Sequence, residues 1–251
     1  MKQCRLFELL PAAQLSRLES RARVRSFPKN ASVYLPSDES QAVFVLLSGR
    51  VRLCSYTPDG KQAIHAFIEP GEMFGELALM QPEGYEDHAE AMLPSTVALI
   101  PKQEIEALLS ENAAFSLGVT KFISWRRRRI ERRLRSLLFR SNRDRLVHLL
   151  LDLVDQYGRP AEGGTLIDIR LSHQELANII GSTRESVTVV LGELQLARHL
   201  TVSRQRIVVR NPHRLASETG VDEYRPSPKE TKAAQPAPAP ATWKPADSSD
   251  R

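Results

Sequence analysis

Leu171-Ser172-His173-Gln174-Glu175-Leu176-Ala177-Asn178-Ile179-Ile180-Gly181-Ser182-Thr183-Arg184-Glu185-Ser186-Val187-Thr188-Val189-Val190-Leu191 reads as two short helices around a sharp turn. Ser172 followed three residues on by Glu175 forms a capping box, so a helix is predicted from His173 to about Ile180. Gly181 supplies the turn, because glycine enters the left-handed region without a Cβ clash. Ser182 is expected to cap a second helix, with Val187, Val190, Leu191 and Leu194 facing inward and Thr183, Arg184, Glu185 and Thr188 facing out. This is helix-turn-helix grammar, in which the first turns of the second helix meet base edges in the DNA major groove. Arg184 has the donor fork that suits guanine, and Glu185 the acceptor that suits the cytosine amino group. Alone, the two residues are equally an ordinary solvated first turn, with Glu185 complementing the helix dipole. The segment just downstream decides between these readings: Val202-Ser203-Arg204-Gln205-Arg206-Ile207-Val208-Val209-Arg210 sets two short apolar runs around a basic tip. That is a wing, with Arg204 and Arg206 placed for phosphates, where contacts set register and affinity rather than sequence. Ser172, His173 and Gln174, at the start of the first helix, are expected at the same interface.

Upstream of this motif, residues 102–140 contain no proline and place Val119, Ile123, Ile130, Leu134 and Leu137 at helical spacing. Ile123, Ile130 and Leu137 are seven apart, Leu134 falls between the last two, and Arg127 takes the remaining position of the seam. A second copy of the same helix is the economical cover for this stripe, so a homodimer is expected; packing on its own domain is the alternative. Further upstream, residues 24–100 are short runs rich in Val, Ile and Phe, broken by turns such as Ser48-Gly49, Pro58-Asp59-Gly60 and Pro70-Gly71. Such a chain of hairpins makes a small antiparallel barrel or sandwich. Apolar positions three and four apart in residues 5–22 suggest one or two short helices before it. Downstream of Ser217, Pro226, Pro228, Pro236, Pro238, Pro240 and Pro245 stand among Ala, Lys, Ser and Asp, a composition too poor in apolar surface to order itself. The expected organisation is therefore α+β. It comprises a β-roll over 1–110, a dimerisation helix over 111–140, a winged helix-turn-helix over 141–216 and a disordered tail over 217–251.

Composition agrees with a nucleic-acid partner without demanding one: 251 residues, 41% hydrophobic, carry a formal charge of +5. The densest charge is Trp125-Arg126-Arg127-Arg128-Arg129-Ile130-Glu131-Arg132-Arg133-Leu134-Arg135, which is either a solvated helix face or a source of arginines for an anionic effector. No apolar run is long enough to cross a bilayer and no cleavable leader follows Met1, so a cytoplasmic location is expected. The two cysteines, Cys4 and Cys54, match no metal spacing and fall short of the four thiolates of an iron-sulfur cluster. His65 and His88 form no His-x-His pair, which counts against a metal site and against the rival reading, a cupin-type metalloenzyme. No enzymatic activity, metal or cofactor is expected.

Three ordered segments, Phe44-Val45-Leu46-Leu47-Ser48-Gly49-Arg50-Val51, Pro70-Gly71-Glu72-Met73-Phe74-Gly75-Glu76-Leu77-Ala78-Leu79 and the helix-turn-helix, resemble the bacterial CRP/FNR family of transcription regulators over about residues 5–212. The helix-turn-helix also looks like that of the branch that includes the cyanobacterial nitrogen regulators, which sense 2-oxoglutarate. The resemblance implies a cyclic-nucleotide-binding-like roll whose effector segment is Phe74, Gly75, Glu76 and Leu77. Asp87, His88, and Arg127 and Glu131 of the helix are expected near the same site. Members that bind cAMP place an arginine where this chain has Asp87, and a carboxylate there repels a phosphate. Small hydroxyl residues facing adenine are replaced by Ile130 and Glu131. Binding of cAMP is therefore not expected, and a different anion, held by Arg127 or a neighbouring helix arginine reaching into the roll, is left as an alternative. Val189 stands where many members carry a second recognition arginine, so the outer half-site contact is expected to be apolar, with a thymine methyl. The implied protein is an activator or repressor that binds a double-stranded palindromic operator as a homodimer, with half-sites roughly 34 Å apart. RNA polymerase is an implied partner. The β-roll either takes a small-molecule effector, or the chain binds DNA independently of any ligand.

Overall fold

Ala42–Ser48 (β3) is apolar at six consecutive positions because both of its faces are covered. In the computed structural model, which describes residues 4–36, 38–79, 84–203 and 205–218, alternate side chains of β3 enter different cores. Phe44 and Leu46 point between two four-stranded antiparallel sheets, where they meet Tyr34, Leu53, Phe74 and Val97. Val43 and Val45 point the other way, to Phe7, Leu18, Ile105, Leu108 and Phe115. The period-two alternation of a strand thus serves two cores at once.

One sheet runs β1-β8-β3-β6, from Arg23–Phe27 (β1), Ser95–Pro101 (β8), β3 and Met73–Phe74 (β6). The other runs β2-β7-β4-β5, from Ser32–Tyr34 (β2), His88–Ala91 (β7), Val51–Tyr56 (β4) and Gln62–Ile68 (β5). The helices Ala12–Arg21 (α1) and Lys102–Glu111 (α2) close the outer face of the first sheet. The helical stretch over 102–140 is divided at Asn112. This residue leaves helical geometry (φ −132°, ψ 100°), and its side chain accepts from the Phe115 N–H at 3.0 Å to start Ala113–Phe139 (α3). The break lets α2 lie on the sheet while α3 leaves it.

After α3 comes Asn142–Tyr157 (α4), separated from it by only Arg140 and Ser141. Beyond it lie Gly158–Ala161 (β9), Gly164–Ile167 (β10), His173–Ile180 (α5), Arg184–Leu196 (α6), Leu200–Ser203 (β11), Arg206–Val209 (β12) and Pro212–Glu218 (α7). The wing is larger than the single hairpin expected: β9 and β10 extend it to a four-stranded sheet of order β11-β12-β10-β9. Leu146, Leu150, Leu176, Leu191, Leu194 and Val209 form its core with α4, α5 and α6. The predicted tail lies beyond the described residues except for its first positions, which form the end of α7. Among the described residues no helix is long and apolar enough to cross a membrane, and no group of three His, Cys, Asp or Glu is placed to hold a metal.

Candidate DNA interface and effector site

The capping box forms as expected: the Ser172 hydroxyl accepts from the Glu175 N–H at 3.2 Å, and the Glu175 carboxylate accepts from the Ser172 N–H at 2.8 Å. Gly181 ends α5 in the left-handed conformation at φ 64°. The cap of α6 is Thr183 and not Ser182. The Thr183 hydroxyl accepts from the Ser186 N–H at 3.2 Å, while the Ser182 N–H closes the turn onto the Ala177 carbonyl. The Ser182 hydroxyl is buried and finds no hydrogen-bond partner among the described residues, so it does not face DNA as expected.

The far side of α6 buries Val187, Val190, Leu191 and Leu194, which leaves Thr183, Arg184, Glu185, Thr188 and Val189 in solvent. Thr188 donates to the Arg184 carbonyl at 2.8 Å and lies 2.8 Å from His173 Nδ1, so the start of α5 is tied to the exposed face of α6. Gln174 is exposed beside them and hydrogen-bonded to Asn178. Between these helix starts and the wing lies a cleft of about 400 Å³, bordered by Ser172, His173, Gln174, Arg184, Gln205 and Arg206. Its rim combines helix N-termini with arginines, the surroundings that backbone phosphates favour. Gln205 turns the wing tip at φ 55°, Arg206 is exposed, and Arg204 lies outside the described residues.

In the roll, β6 ends at Phe74, which is fully buried, and Gly75 turns the chain at φ 71°. A side chain on Gly75 would meet Phe44 at 2.8 Å, so both the turn and the close approach of the ring call for glycine. Glu76 is buried, whereas Leu77 points to solvent and does not line the interior. The arginine that enters the roll is Arg126. Its guanidinium grips both carboxylate oxygens of Glu76, donates to the Met73 carbonyl at 2.9 Å and lies 4.6 Å from the centre of the Phe122 ring. Arg127, the residue expected there, is 79% exposed and paired along the helix with Glu131 at 2.8 Å, so neither of them faces the interior of its own roll.

Asp87 sits across from this pair and accepts from the Tyr34 hydroxyl at 2.9 Å. Burial, reinforced by the Glu76 charge, lifts Asp87 above the usual carboxylate range despite the Tyr34 hydrogen bond. Tyr34 itself stacks on Tyr85 at 4.1 Å and closes an aromatic cluster with Phe44 and Phe74. His88 lies at the start of β7 with its ring against Tyr56. The expected positions Phe74, Gly75, Glu76 and Asp87 are therefore gathered around Arg126, whereas Leu77, Arg127 and Glu131 are not, and His88 packs against Tyr56.

On α3, Ile130 and Leu134 are more than half exposed and Leu137 is 36% exposed, while Ile123 is partly covered by its own roll. Leu138 and Phe139 are exposed beyond them and were not anticipated. Arg145 was also missed. It donates to the Leu137 carbonyl at 2.6 Å and lies 3.5 Å from the Ile180 carbonyl, joining the end of α3 to the end of α5.

Residues 24–112 match the cyclic nucleotide-binding domain family, and residues 144–218 match the Crp-like helix-turn-helix domain. The global nitrogen regulators of a Synechocystis species and of a Nostoc species are each 32% identical to this chain, over 78% of it and 88% of their own lengths. Among solved structures, a CRP-family transcriptional regulator from Thermus thermophilus superposes with a TM-score of 0.66 at 26% identity, covering 78% of this chain and 96% of its own. CooA from Carboxydothermus hydrogenoformans shares the fold with a TM-score of 0.70 at 23% identity, over 80% of this chain and 88% of its own. With both domain families in order and relatives matched across the roll, the long helix and the wing, the chain is a DNA-binding member of the CRP/FNR family of transcription regulators.

Proposed function

We propose that the chain works in the cytoplasm as a homodimer seamed along α3, reads an inverted-repeat operator with Arg184 and Glu185, and performs no catalysis. The observation that carries this reading is the single exposed face of α6. Arg184, Glu185 and Thr188 are exposed beside a cleft rimmed by Ser172, His173, Gln174 and Arg206, while the opposite face is buried in the domain core. Arg184 reads a guanine and Glu185 the cytosine amino group of each half-site, and Arg206 with its wing neighbour Arg204 takes phosphates. Ile123, Arg127, Ile130, Leu134 and Leu137 form the seam, which places two recognition helices about one DNA turn apart. RNA polymerase is the partner through which a bound dimer changes transcription.

Input through the roll is the second part of the reading. Arg126 already satisfies Glu76, and Asp87 stands where a cyclic phosphate would need a cation, so cAMP is not the effector. DNA binding without a ligand fits this closed arrangement, and an anionic effector would have to draw Arg126 away from Glu76. Selection from random-sequence duplexes tests the operator. The wild-type chain is expected to recover a dyad-symmetric site with a G and a C in each half, and Arg184→Ala to lose the G preference at a cost of about 1–3 kcal/mol. A pool without dyad symmetry, or a G preference that survives Arg184→Ala, overturns the reading.

A further inference from the structure

The sheet that faces away from α1 and α2 carries on its outer face an apolar centre flanked by polar side chains, and that face is occupied by the first helix of the helix-turn-helix. Along β4, Leu53 points into the roll, whereas Arg52 and Cys54 point out. Across the ladder, Gln62 and Ile64 lie on the same outer side, opposite Tyr56 and Cys54. Cys54 and Ile64 are fully buried there and belong to the core of the DNA-binding domain rather than to that of the roll. Two polar contacts flank this apolar centre. Arg52 Nη1 donates to Glu175 Oε1 at 3.2 Å, and Asn178 Nδ2 donates to Gln62 Oε1 at 3.2 Å. Glu175 and Asn178 are three apart and share one face of α5. A third contact sets the Arg50 guanidinium 5.1 Å from the centre of the Tyr157 ring at the end of α4.

Arg52 is also held from within the roll. Its Nε and Nη2 reach Glu90 Oε2 at 2.8 and 2.7 Å, and Glu90 Oε1 accepts from the Tyr56 hydroxyl at 2.5 Å. Such pre-ordering removes most of the side-chain entropy cost that makes exposed ion pairs weak. On the other side, Glu175 divides its two oxygens: Oε1 takes Arg52, while Oε2 accepts from the Ser172 N–H and hydroxyl, both at 2.8 Å. One carboxylate thus links the roll to the N-terminus of the helix that is tied through His173 to Thr188 on α6.

We propose that Arg52 is a positioning residue for DNA recognition: by holding Glu175 it locks the DNA-binding domain onto the β4–β5 face and sets the half-site spacing that the dimer accepts. The spacing role rests on the inverted-repeat reading above. Only Arg140 and Ser141 join α3 to α4, so an undocked domain can swing about that joint, and two swinging domains reach operators of more than one spacing. Base contacts made by Arg184 and Glu185 are unchanged by the swing, so spacing preference and sequence preference separate.

Cys54 is a built-in reporter, because it is buried within the apolar cluster that the roll shares with the DNA-binding domain. The variants are Arg52→Gln and Glu175→Gln, the latter keeping a side chain that can still accept from the Ser172 N–H. Thiol labelling of the full chain, with Cys4 and Cys54 resolved by peptide mass mapping, is expected to show Cys54 reacting about threefold faster or more in either variant, and Cys4 unchanged. The double variant should add little to either single one. In parallel, each protein is titrated with inverted repeats at the selected spacing and at one base pair more and less. Both variants should lose about threefold or more of the wild-type spacing preference while keeping the half-site sequence preference. Cys54 rates equal to wild type overturn the lock whatever the DNA result. Faster Cys54 with an unchanged spacing preference overturns the spacing role, and a wild-type chain indifferent to inverted repeats overturns the operator reading and the spacing role with it.

Discussion

Replacing Arg126 with alanine removes the partner of a carboxylate that the fold keeps from water. Glu76 is 8% exposed, and the guanidinium beside it contacts both of its oxygens, the Met73 carbonyl and the Phe122 ring. Breaking a buried pair from one side costs about 3–5 kcal/mol, because the remaining charge stays desolvated. The Arg126 side chain is 17% exposed, so water reaches part of the gap left behind, and the expected loss sits near the low end, about 3 kcal/mol. Glu76→Gln keeps an acceptor for Arg126 and should cost less, about 1–2 kcal/mol. The paired replacement Arg126→Met with Glu76→Leu should lie within about 1 kcal/mol of wild type, since apolar partners of similar volume need no solvation. Urea unfolding followed by far-ultraviolet circular dichroism gives all three values, with unchanged slopes confirming that the same surface unfolds. An Arg126→Ala loss below about 1 kcal/mol would refute the claim that this pair is buried and mutually dependent.

Leu134→Glu puts a charge into the exposed seam of α3 and should turn the dimer into a 28.2 kDa monomer by light scattering; a dimer that persists would place the interface elsewhere. Arg206→Ala should weaken binding to all duplexes alike and lower the slope of log affinity against log salt by about one, whereas a loss confined to one sequence would make Arg206 a base reader. Burial first, and the Arg140 charge second, push His148 from 6.5 down to about 4. The folded protein therefore stays neutral there while the unfolded chain takes up a proton, so stability is full above about pH 6.5 and declines as pH falls toward 4. Since His148 is half-buried, the loss is on the order of 1–2 kcal/mol, and urea midpoints at pH 7 and pH 5 should converge in His148→Gln. Equal slopes in variant and wild type would show that another group carries the dependence.

The helix-turn-helix is legible almost residue by residue, because its signals are local: a capping box at Ser172 and Glu175, a left-handed glycine at Gly181, and an inward stripe from Val187 to Leu194. The slip from Ser182 to Thr183 comes from two adjacent hydroxyls, of which serine is the better capper in general, so that the turn geometry overrides the local preference. The same limit governs the arginines. Four stand in a row from Arg126 to Arg129, and the one that enters the roll is set by the rotational phase of α3, fixed by packing of Phe115, Val119 and Phe122 in the turns before the run. The break at Asn112 has a readable signal, an N-capping residue before an apolar stretch. Gly163-Gly164 likewise marks the β9–β10 turn, where a side chain on Gly164 would collide with the Val209 carbonyl at 2.3 Å. The Arg52 to Glu175 contact has no local signature at all, since it joins residues far apart in sequence through the docking of two domains.

Fluorescence anisotropy on an inverted-repeat duplex with G and C at the positions assigned to Arg184 and Glu185, against a scrambled duplex of equal length and composition at one fixed salt concentration, tests the central claim most directly. The account predicts two protomers per duplex and an affinity for the inverted repeat about a hundredfold or more above the scrambled control, largely lost in Arg184→Ala. Equal affinity for the two duplexes, or an Arg184→Ala protein that discriminates as well as wild type, would contradict it.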